Sequence, residues 1–226
     1  SPEITSHSYI APPARDMMRV FMVRVLLFLG GTPPPLDRWK AWAQGSDHLV
    51  AADGGADPVL AEGLRPVVVG DLDSVQTDLT GLTVHHDPDP DHSDVEKALD
   101  YIARTHPGAD LAITALEGDR LDHVLASLGA CVAYGGPVRL VTGNSVGCLI
   151  RAGERRILPL NPGDRISLLP LGMARASMVG VKWPFTSQVL ALGGFLSLSN
   201  VATEPEVTVD VQAGAALALY ETLAVW

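Results

Sequence analysis

The sequence predicts an α/β protein, with a mostly parallel N-terminal sheet covered by helices on both faces and a smaller antiparallel β-sandwich after it. First, short β-rich runs alternate with helical patterns over the first two thirds of the 226 residues, which is typical of a parallel sheet. Second, after about residue 144, short strands separated by Gly, Pro and Asn turns replace this alternation. We therefore expect a flexible tail over residues 1–17, a Rossmann-like three-layer domain over residues 18–145 and a β-sandwich domain over residues 146–226.

Each element of the N-terminal half has its own pattern. The first strand lies in "RVFMVRVLLFLGG", an apolar run that Arg24 interrupts and that has no small-residue cleavage pattern, so a membrane span and a signal peptide are both disfavoured. The clearest helix is "SDVEKALDYIAR", where Ser93 and Glu96 match a capping box and apolar residues recur at helical spacing. The other predicted elements are strands at 48–53, 65–71, 82–87, 109–116 and 138–143, and helices at 56–64 and 121–135.

The C-terminal half contains short strand patterns and no comparable helix pattern. Turn residues separate the strands, as is usual in an antiparallel sandwich. The predicted strands lie at 146–153, 156–160, 164–171, 195–201 and 206–214.

Composition limits the classes of partner. The net charge is −10 and the chain has 16 Lys and Arg residues, which disfavours binding of nucleic acid through the general surface. No apolar stretch reaches the roughly 18 to 20 residues that a bilayer span needs, so no membrane role is expected. The two cysteines, Cys131 and Cys148, have no metal-binding spacing, which favours packed thiols in a reducing, cytoplasmic compartment.

Carboxylates follow several of the predicted strands. Asp53 follows one strand, Asp71 and Asp73 follow the next, and Asp94 begins the helix after a third, behind the acidic run "DPDPDHSD". Because the carboxyl ends of parallel strands lie along one edge of the sheet, these acids should converge there. Converging carboxylates repel each other and favour a divalent cation, and oxygen ligands with phosphates suit Mg²⁺.

The glycines after Asp53 add a phosphate-binding element. Gly54 and Gly55 leave backbone amides that can approach a phosphate closely. Arg120, at the start of a predicted helix, and Lys97, one turn into another, are placed to meet phosphate charge.

Each motif also has an ordinary interpretation. "DGG" alone is commonly a turn, two acids around one residue are common in surface loops, and "DPDPD" can be a stiff solvated linker. Arg120 can pair with Asp119 or Asp122, Lys97 can be solvated, and a lone His123 is more often structural. The three motifs together, each after a predicted strand, favour a metal and phosphate site over these interpretations.

Five motifs in order resemble the thiamine pyrophosphokinase family. They are "DGGAD", "GDLDS", "DPDPDHSDVEKAL", "GDRLDH", and "GVKWPF" with "FLSLSN", and they span roughly residues 28–200. The resemblance implies transfer of a diphosphate from ATP to the hydroxyethyl group of thiamine, with release of AMP. It also implies an N-terminal ATP- and Mg²⁺-binding catalytic domain, a C-terminal thiamine-binding domain, and a homodimer with sites at the interface.

The resemblance also assigns roles to residues by position. Asp53, Asp71, Asp73 and Asp94 would organise Mg²⁺ and the ATP phosphates, and Lys97 and Arg120 would stabilise phosphate charge. Asp122 and His123 would shape the nucleotide pocket. In the β half, Trp183 would pack against thiamine, and Ser199 and Asn200 would bind its aminopyrimidine. An indole face is the best aromatic surface for a cationic ring. Without the resemblance, Trp183 would be assigned to the core and Ser199 and Asn200 to a turn.

Four positions depart from the family's motifs. Leu72 and Val95 replace phenylalanines, and we expect Leu72 to pack beneath the two flanking acids. Asp119 replaces a glycine beside Arg120, and Asp57 stands where a neutral asparagine can occur. The alternatives left open are a binding or sensor protein without turnover, a diphosphotransferase for another alcohol, and a protein whose aspartates are merely solvated. Asp71 or Asp94 is a candidate to accept the hydroxyl proton of thiamine.

Overall fold

A computed structural model describes residues 22–118, 120–222 and 224–226 of the chain. The predicted tail over residues 1–17 and the departure at Asp119 lie outside these ranges. The strands are β1 Arg24–Phe28, β2 His48–Ala52, β3 Val67–Gly70, β4 Val84–His86, β5 Asp110–Thr114, β6 Val138–Val141, β7 Ser145–Arg151, β8 Glu154–Pro159, β9 Arg165–Pro170, β10 Met173–Val179, β11 Phe185–Ala191, β12 Ser197–Val201, β13 Glu206–Ala213 and β14 Ala215–Glu221. The helices are α1 Leu36–Gln44, α2 Ala56–Ala61, α3 Asp94–Thr105 and α4 Leu121–Tyr134, with a short 3₁₀ turn at Asp53–Gly55 before α2.

Among the described residues, six parallel strands form the N-terminal half in the order β6-β5-β1-β2-β3-β4. Successive residues of β1 face opposite sides of this sheet, as a pleated strand requires. Val25 and Leu27 pack in one core, which α3 and α4 cover. Leu26 and Phe28 pack in another core, which α1 and α2 cover. The predicted three-layer α/β arrangement is therefore confirmed.

The C-terminal half is a sandwich that grows out of the first sheet. β7 pairs antiparallel with β6, so β7, β14, β9 and β12 extend the parallel sheet to ten strands. A separate antiparallel sheet, in the order β11-β10-β13-β8, packs against this extension. Both sheets contribute buried residues to one core, for example Ile150 and Ile166 from the first and Met178 and Val209 from the second. The predicted sandwich is confirmed, although one of its sheets is continuous with the α/β half.

The helix that begins the acidic segment forms as its local pattern predicts. The Ser93 backbone N–H donates to Glu96 Oε2 at 2.8 Å, and the Glu96 N–H donates to Ser93 Oγ at 3.3 Å. This reciprocal cap determines where α3 begins and therefore where Asp94 lies. The buried face of α3 carries Ala98 and Ile102, which lie on the predicted apolar stripe.

Four elements were absent from the predictions. The helix α1 follows three prolines, which obscured its start, yet Trp39 and Trp42 bury its inner face. The strands β10, β11 and β14 are rich in small or polar residues, and neighbouring strands rather than intrinsic propensity determine their conformation. None of the helices in the described ranges is long and apolar enough to cross a bilayer.

Candidate active site

A cavity of about 630 Å³ lies at the carboxyl ends of β1, β2, β3 and β5. This edge of the sheet is where ligands usually bind in open α/β folds. Six of the predicted site residues line the cavity, namely Asp53, Gly54, Asp71, Asp94, Lys97 and His123. The topology of the sheet therefore brings together side chains from separate sequence motifs.

Three carboxylates form a tight group at this edge. Asp53, Asp71 and Asp73 each place one oxygen atom so that the three atoms lie within 4.8 Å of one another. Asp53 is buried, Asp71 is half-buried and Asp73 is exposed, so the group is open to ligand on one side. Asp53 and Leu72 both have positive φ angles, of 42° and 68°, which bulky L-residues rarely adopt. Leu72, between Asp71 and Asp73, packs against the core on the α1 side. That it packs beneath the two acids stays a prediction.

Asp94 and Lys97 extend the acid group into α3. The Lys97 ammonium is almost fully buried and lies 3.4 Å from Asp94 Oδ1 and 3.8 Å from Asp71 Oδ2. Asp94 Oδ1 also accepts from the Asp71 backbone N–H at 3.4 Å. Lys97 is thus a cation held between two of the predicted acids, and a buried cation of this kind must have such partners.

Gly70, at the end of β3, allows the acids to approach each other. Its φ is +148°, and a Cβ atom there would lie 2.8 Å from Asp94 Oδ1 and 3.1 Å from Asp53 Cβ. No L-residue with a side chain fits this position without moving an acid. The glycine of the "GDLDS" motif is therefore required by the packing of the carboxylates.

Burial raises the pKa of Asp53 above its ordinary value, and the nearby Asp94 carboxylate raises it further. Hydrogen bonds from the backbone N–H groups of Ser74 and Val75 stabilise the ionised carboxylate and lower the pKa of Asp53, so they offset part of the effect of burial. A carboxylate whose ionised form is disfavoured by burial and by a like charge is stabilised by a bound cation. The acid group thus fits a divalent metal ion both by its ligand atoms and by its charge.

Asp57 was noted in the sequence as a family departure, but its contacts were not predicted. Its Oδ1 atom accepts from the backbone N–H of Thr77 at 2.9 Å and of Gln76 at 3.2 Å. Its Oδ2 atom accepts from the same Gln76 N–H at 3.1 Å. The negative charge of Asp57 is therefore directed at the loop that follows β3. No local sequence signal identifies this contact, since the partners lie about twenty residues apart.

The two predicted glycines lie in different environments. Gly54 is half-buried and lines the cavity. Gly55 is buried, and a Cβ atom there would lie 2.5 Å from the Phe28 carbonyl oxygen. The structure therefore gives Gly55 a packing role against the end of β1, and its contact with a phosphate stays a prediction.

Arg120 and Asp122 form an exposed ion pair at the start of α4. Arg120 donates to both carboxylate oxygens of Asp122, through Nε at 3.2 Å and Nη2 at 2.7 Å. The hydrogen bond from Arg120 lowers the pKa of Asp122. This is the pairing that the sequence left open beside the phosphate interpretation. Among the predicted α/β-half site residues in the described ranges, Gly55, Asp73, Arg120 and Asp122 do not line the cavity, whereas His123 does.

Trp183, Ser199 and Asn200 lie in the β half, away from the acid cavity, whose described lining comes from the α/β half. Trp183 is 56% exposed, and the Lys182 ammonium lies 4.7 Å from its ring centroid. Asn200 is buried and binds the Trp183 backbone, accepting from its N–H at 3.2 Å and donating to its carbonyl at 2.9 Å. Ser199 is exposed with φ at +50°. Asn200 thus positions the loop that presents the indole.

The cavity also includes parts that sequence reasoning missed. Leu29 and Gly30 follow β1, and Ala115 follows β5 with φ at +57°. Ser127 is a buried polar residue on α4 that faces the same space. The glycine pair after the first predicted strand is the sequence feature that could have identified this part of the cavity, because the loops after all parallel strands lie at one edge of the sheet.

Comparisons with known proteins show which family this chain is similar to. The model of a "Thiamin pyrophosphokinase, catalytic domain" matches residues 39–137, and that of a "Thiamin pyrophosphokinase, vitamin B1 binding domain" matches residues 155–215. Thiamine pyrophosphokinase 1 from Oryza sativa subsp. japonica is 27% identical over 236 aligned positions, covering 88% of this chain and 86% of the relative. Thiamine pyrophosphokinase 1 from Arabidopsis thaliana is 26% identical over 164 residues, and the alignment spans 64% of this chain and 61% of that relative.

The fold is also similar to solved structures. The crystal structure of thiamin pyrophosphokinase from Geobacillus thermodenitrificans superposes with a TM-score of 0.74 at 22% identity. The match covers 89% of this chain and 98% of that one. At this identity the likeness establishes the shared fold of both halves.

Proposed function

The chain belongs to the thiamin pyrophosphokinase family, and from this membership we propose that it is an enzyme that transfers a diphosphate group from ATP to the hydroxyethyl group of thiamine. The products are thiamine diphosphate and AMP. The observation that carries the proposal is that one chain matches both the catalytic and the vitamin B1-binding family models, and that the catalytic match contains the carboxylate group at the sheet edge.

The acid group is the proposed Mg²⁺ site. Asp53, Asp71 and Asp73 would hold the ion, with Asp94 beside them, because their hard oxygen atoms converge. A bound cation would also offset the cost of ionising the buried Asp53 carboxylate, whose pKa is raised. When bound, Mg²⁺ would neutralise the charge of the ATP phosphates. The remaining ligand positions would be taken by water and phosphate oxygens, as is usual for this ion.

The chain's own residues would position the reacting groups. Lys97, held between Asp94 and Asp71, would place a positive charge at the cavity wall beside the phosphates. Arg120 would turn from Asp122 toward the same phosphates, and His123 would line the nucleotide pocket. Catalysis of phosphoryl-type transfer relies mainly on such positioning and charge neutralisation.

The bond changes follow from the substrates. The thiamine hydroxyl oxygen forms a bond to the β-phosphorus of ATP, and the bond from that phosphorus to the oxygen shared with the α-phosphorus breaks, so AMP leaves. The hydroxyl proton would pass to Asp71 or Asp94, which lie in the cavity, or to solvent. Both carboxylates interact with Lys97, which fixes their positions at the cavity wall.

Thiamine would bind to the β half, with its cationic ring on Trp183 and its aminopyrimidine near Ser199 and Asn200. The indole is exposed and lies outside the acid cavity of its own chain, which supports a homodimer that brings Trp183 of one subunit to the cavity of the other. Exposed Leu198 and Phe195 on the same half would be covered in such a dimer. Sedimentation analysis of the purified chain tests this assembly. A cytoplasmic location is proposed as well, since both cysteines are free thiols.

The deciding experiment is to incubate the protein with ATP, Mg²⁺ and thiamine and to measure AMP and thiamine diphosphate. Formation of both in equal amounts is expected. Calorimetry with thiamine and a non-hydrolysable ATP analogue, with and without Mg²⁺, separates binding from turnover. Binding of both ligands without formation of either product would instead indicate a sensor protein without turnover. Formation of AMP but no thiamine diphosphate when another alcohol is present would indicate that the enzyme uses a different acceptor alcohol.

Asp71→Asn tests the acid group directly. We expect turnover to fall by about 100-fold or more, because the variant removes one charge from the ion site and one candidate proton acceptor. Asp78→Ala is the matched control, since Asp78 is an exposed acid seven residues further along the chain that binds Thr80. Near-normal turnover of Asp71→Asn with Mg²⁺ bound would show that the assigned role is wrong.

A further inference from the structure

Two acids one helical turn apart bind four consecutive amides of the loop after β3. Asp53 accepts from the N–H groups of Ser74 and Val75, and Asp57 accepts from those of residues 76 and 77. Residues four apart on a helical turn lie on the same side of it, which places both carboxylates against the loop. The loop 74–77 is therefore anchored by side chains from the "DGGAD" motif and not by strand pairing.

The two acids are not equivalent. Asp53 belongs to the three-acid group, so under the proposed function its oxygens face the ion as well as the amides. Asp57 lies outside that group of described residues, and both of its carboxylate oxygens accept from the loop. Asp57 can therefore hold the loop while Asp53 is engaged by a ligand.

The backbone just before this loop is strained. Leu72 has a φ of 68°, a conformation that is unfavourable for a residue with a branched side chain and persists only where the surroundings enforce it. That conformation places Asp71 and Asp73 on either side of Leu72 within reach of Asp53. Release of the loop would remove one constraint on this conformation, beside the hydrogen bond from the Asp71 N–H to Asp94 Oδ1.

We propose that Asp57 is a positioning residue that sets the metal affinity of the site by clamping the loop 74–77, so that Asp71 and Asp73 stay in place. The proposal rests on the proposed function, because it concerns the ion that the acid group would hold. It also explains how an acid is accommodated where the family can have a neutral asparagine. The contact uses an oxygen acceptor, and Asp57 Oδ1 alone reaches both amides, at 3.2 and 2.9 Å.

The test uses Mn²⁺ alone as the probe, with binding followed by electron paramagnetic resonance of the full chain. Asp57→Ala should weaken Mn²⁺ binding by about tenfold or more, as removal of a residue that orients metal ligands typically does. Asp57→Asn keeps one acceptor oxygen and should stay within about threefold of the wild type. Asp78→Ala, an acid of the same loop region that caps Thr80, should leave binding unchanged.

Hydrogen–deuterium exchange measures the clamp itself. The amides of residues 76 and 77 should exchange at least about tenfold faster in Asp57→Ala than in the wild type, and little faster in Asp57→Asn or Asp78→Ala. If Asp57→Ala does not fold, Asp57→Glu serves the same purpose, because it keeps the charge but moves the carboxylate away from both amides. Faster exchange with weaker Mn²⁺ binding is then again the expected result.

Three outcomes would overturn the proposal. They are wild-type Mn²⁺ affinity in Asp57→Ala, weaker affinity without faster exchange at residues 76 and 77, and no Mn²⁺ binding by the wild type. Neither measurement requires turnover. A failure to form thiamine diphosphate from ATP and thiamine would therefore count against the proposed function, while the exchange and Mn²⁺ data would still decide the role of Asp57.

Discussion

Gly70→Ala tests whether close packing of the acids is what the site requires. The new Cβ atom would lie 2.8 Å from Asp94 Oδ1 and 3.1 Å from Asp53 Cβ, and atoms at such distances must move apart. The residue would also have a φ of +148°, which L-residues rarely adopt. Backbone strain of this kind costs about 1–3 kcal/mol, and displacement of Asp94 adds to it, so we expect a loss of about 3 kcal/mol in the free energy of unfolding. For a chain of this size, that corresponds to a melting temperature lower by about 6–12 °C.

The turnover of Gly70→Ala should fall by more than its loss of folded protein alone would explain. Movement of Asp94 away from Asp71 and Lys97 misplaces the groups around the reacting phosphates, and a misplacement of about 1 Å costs about 100-fold in rate. Gly63→Ala is the matched control, because Gly63 has a φ of +73° but no atom of the described residues lies within 4 Å of the place that its Cβ would take. That variant should lose about 1–2 kcal/mol of stability with unchanged turnover.

The assay measures thermal unfolding and the rate of thiamine diphosphate formation, at a temperature where both variants are folded. Equal turnover of Gly70→Ala and Gly63→Ala would refute the reasoning, since it would mean that contact with the acids is irrelevant. A Gly70→Ala protein with wild-type stability would refute the assigned strain.

Three further predictions concern single side chains. Lys97→Met should keep the fold but lower turnover by about 10²–10³-fold, because it removes the cation beside the phosphates; turnover within threefold of wild type would contradict that role. Burial raises the pKa of Cys131 to about 12, so in a Cys148→Ser variant its thiol should react with a thiol reagent at pH 8 only as fast as the protein unfolds; rapid labelling without denaturant would be inconsistent with this burial. Burial lowers the pKa of His106, and the neighbouring His48 lowers it further. Because the unfolded chain then binds this proton more readily than the folded protein, the free energy of unfolding should fall as the pH drops below about 6.5. Urea unfolding at pH 7.5 and 5.5 should show a smaller decrease for His106→Gln, and an equal decrease in both proteins would rule out this contribution.

Local patterns were sufficient to predict much of the fold. The alternation in β1 places Val25 and Leu27 on one face and Leu26 and Phe28 on the other, and both faces are buried as the predicted helices require. The capping box at Ser93 is a contact within one turn, so its residues specify it without help from the rest of the chain. Elements such as β14, with its alanine-rich sequence, were missed because their conformation depends on pairing with β7 and β9.

The site was predicted as a set of residues but not as a set of contacts. The rule that parallel strands end at one edge was enough to bring Asp53, Asp71 and Asp94 together. The sequence left the pairing of Arg120 with Asp122 open beside a phosphate contact, and it did not indicate that Asn200 binds the Trp183 backbone. Those pairings depend on side-chain geometry, which sequence spacing does not contain.

The sequence by itself determined which chemistry the chain carries, because the acids, the lysine and the glycines are present in ordered motifs that follow strands. The tertiary structure alone decided how they act on one another. It placed Gly70 where a side chain would displace an acid, held Leu72 in a strained conformation, and directed Asp57 to loop amides about twenty residues away. The physical reason is that periodicity and capping are interactions between near neighbours, whereas the fit of carboxylates around an ion and a loop depends on long-range packing.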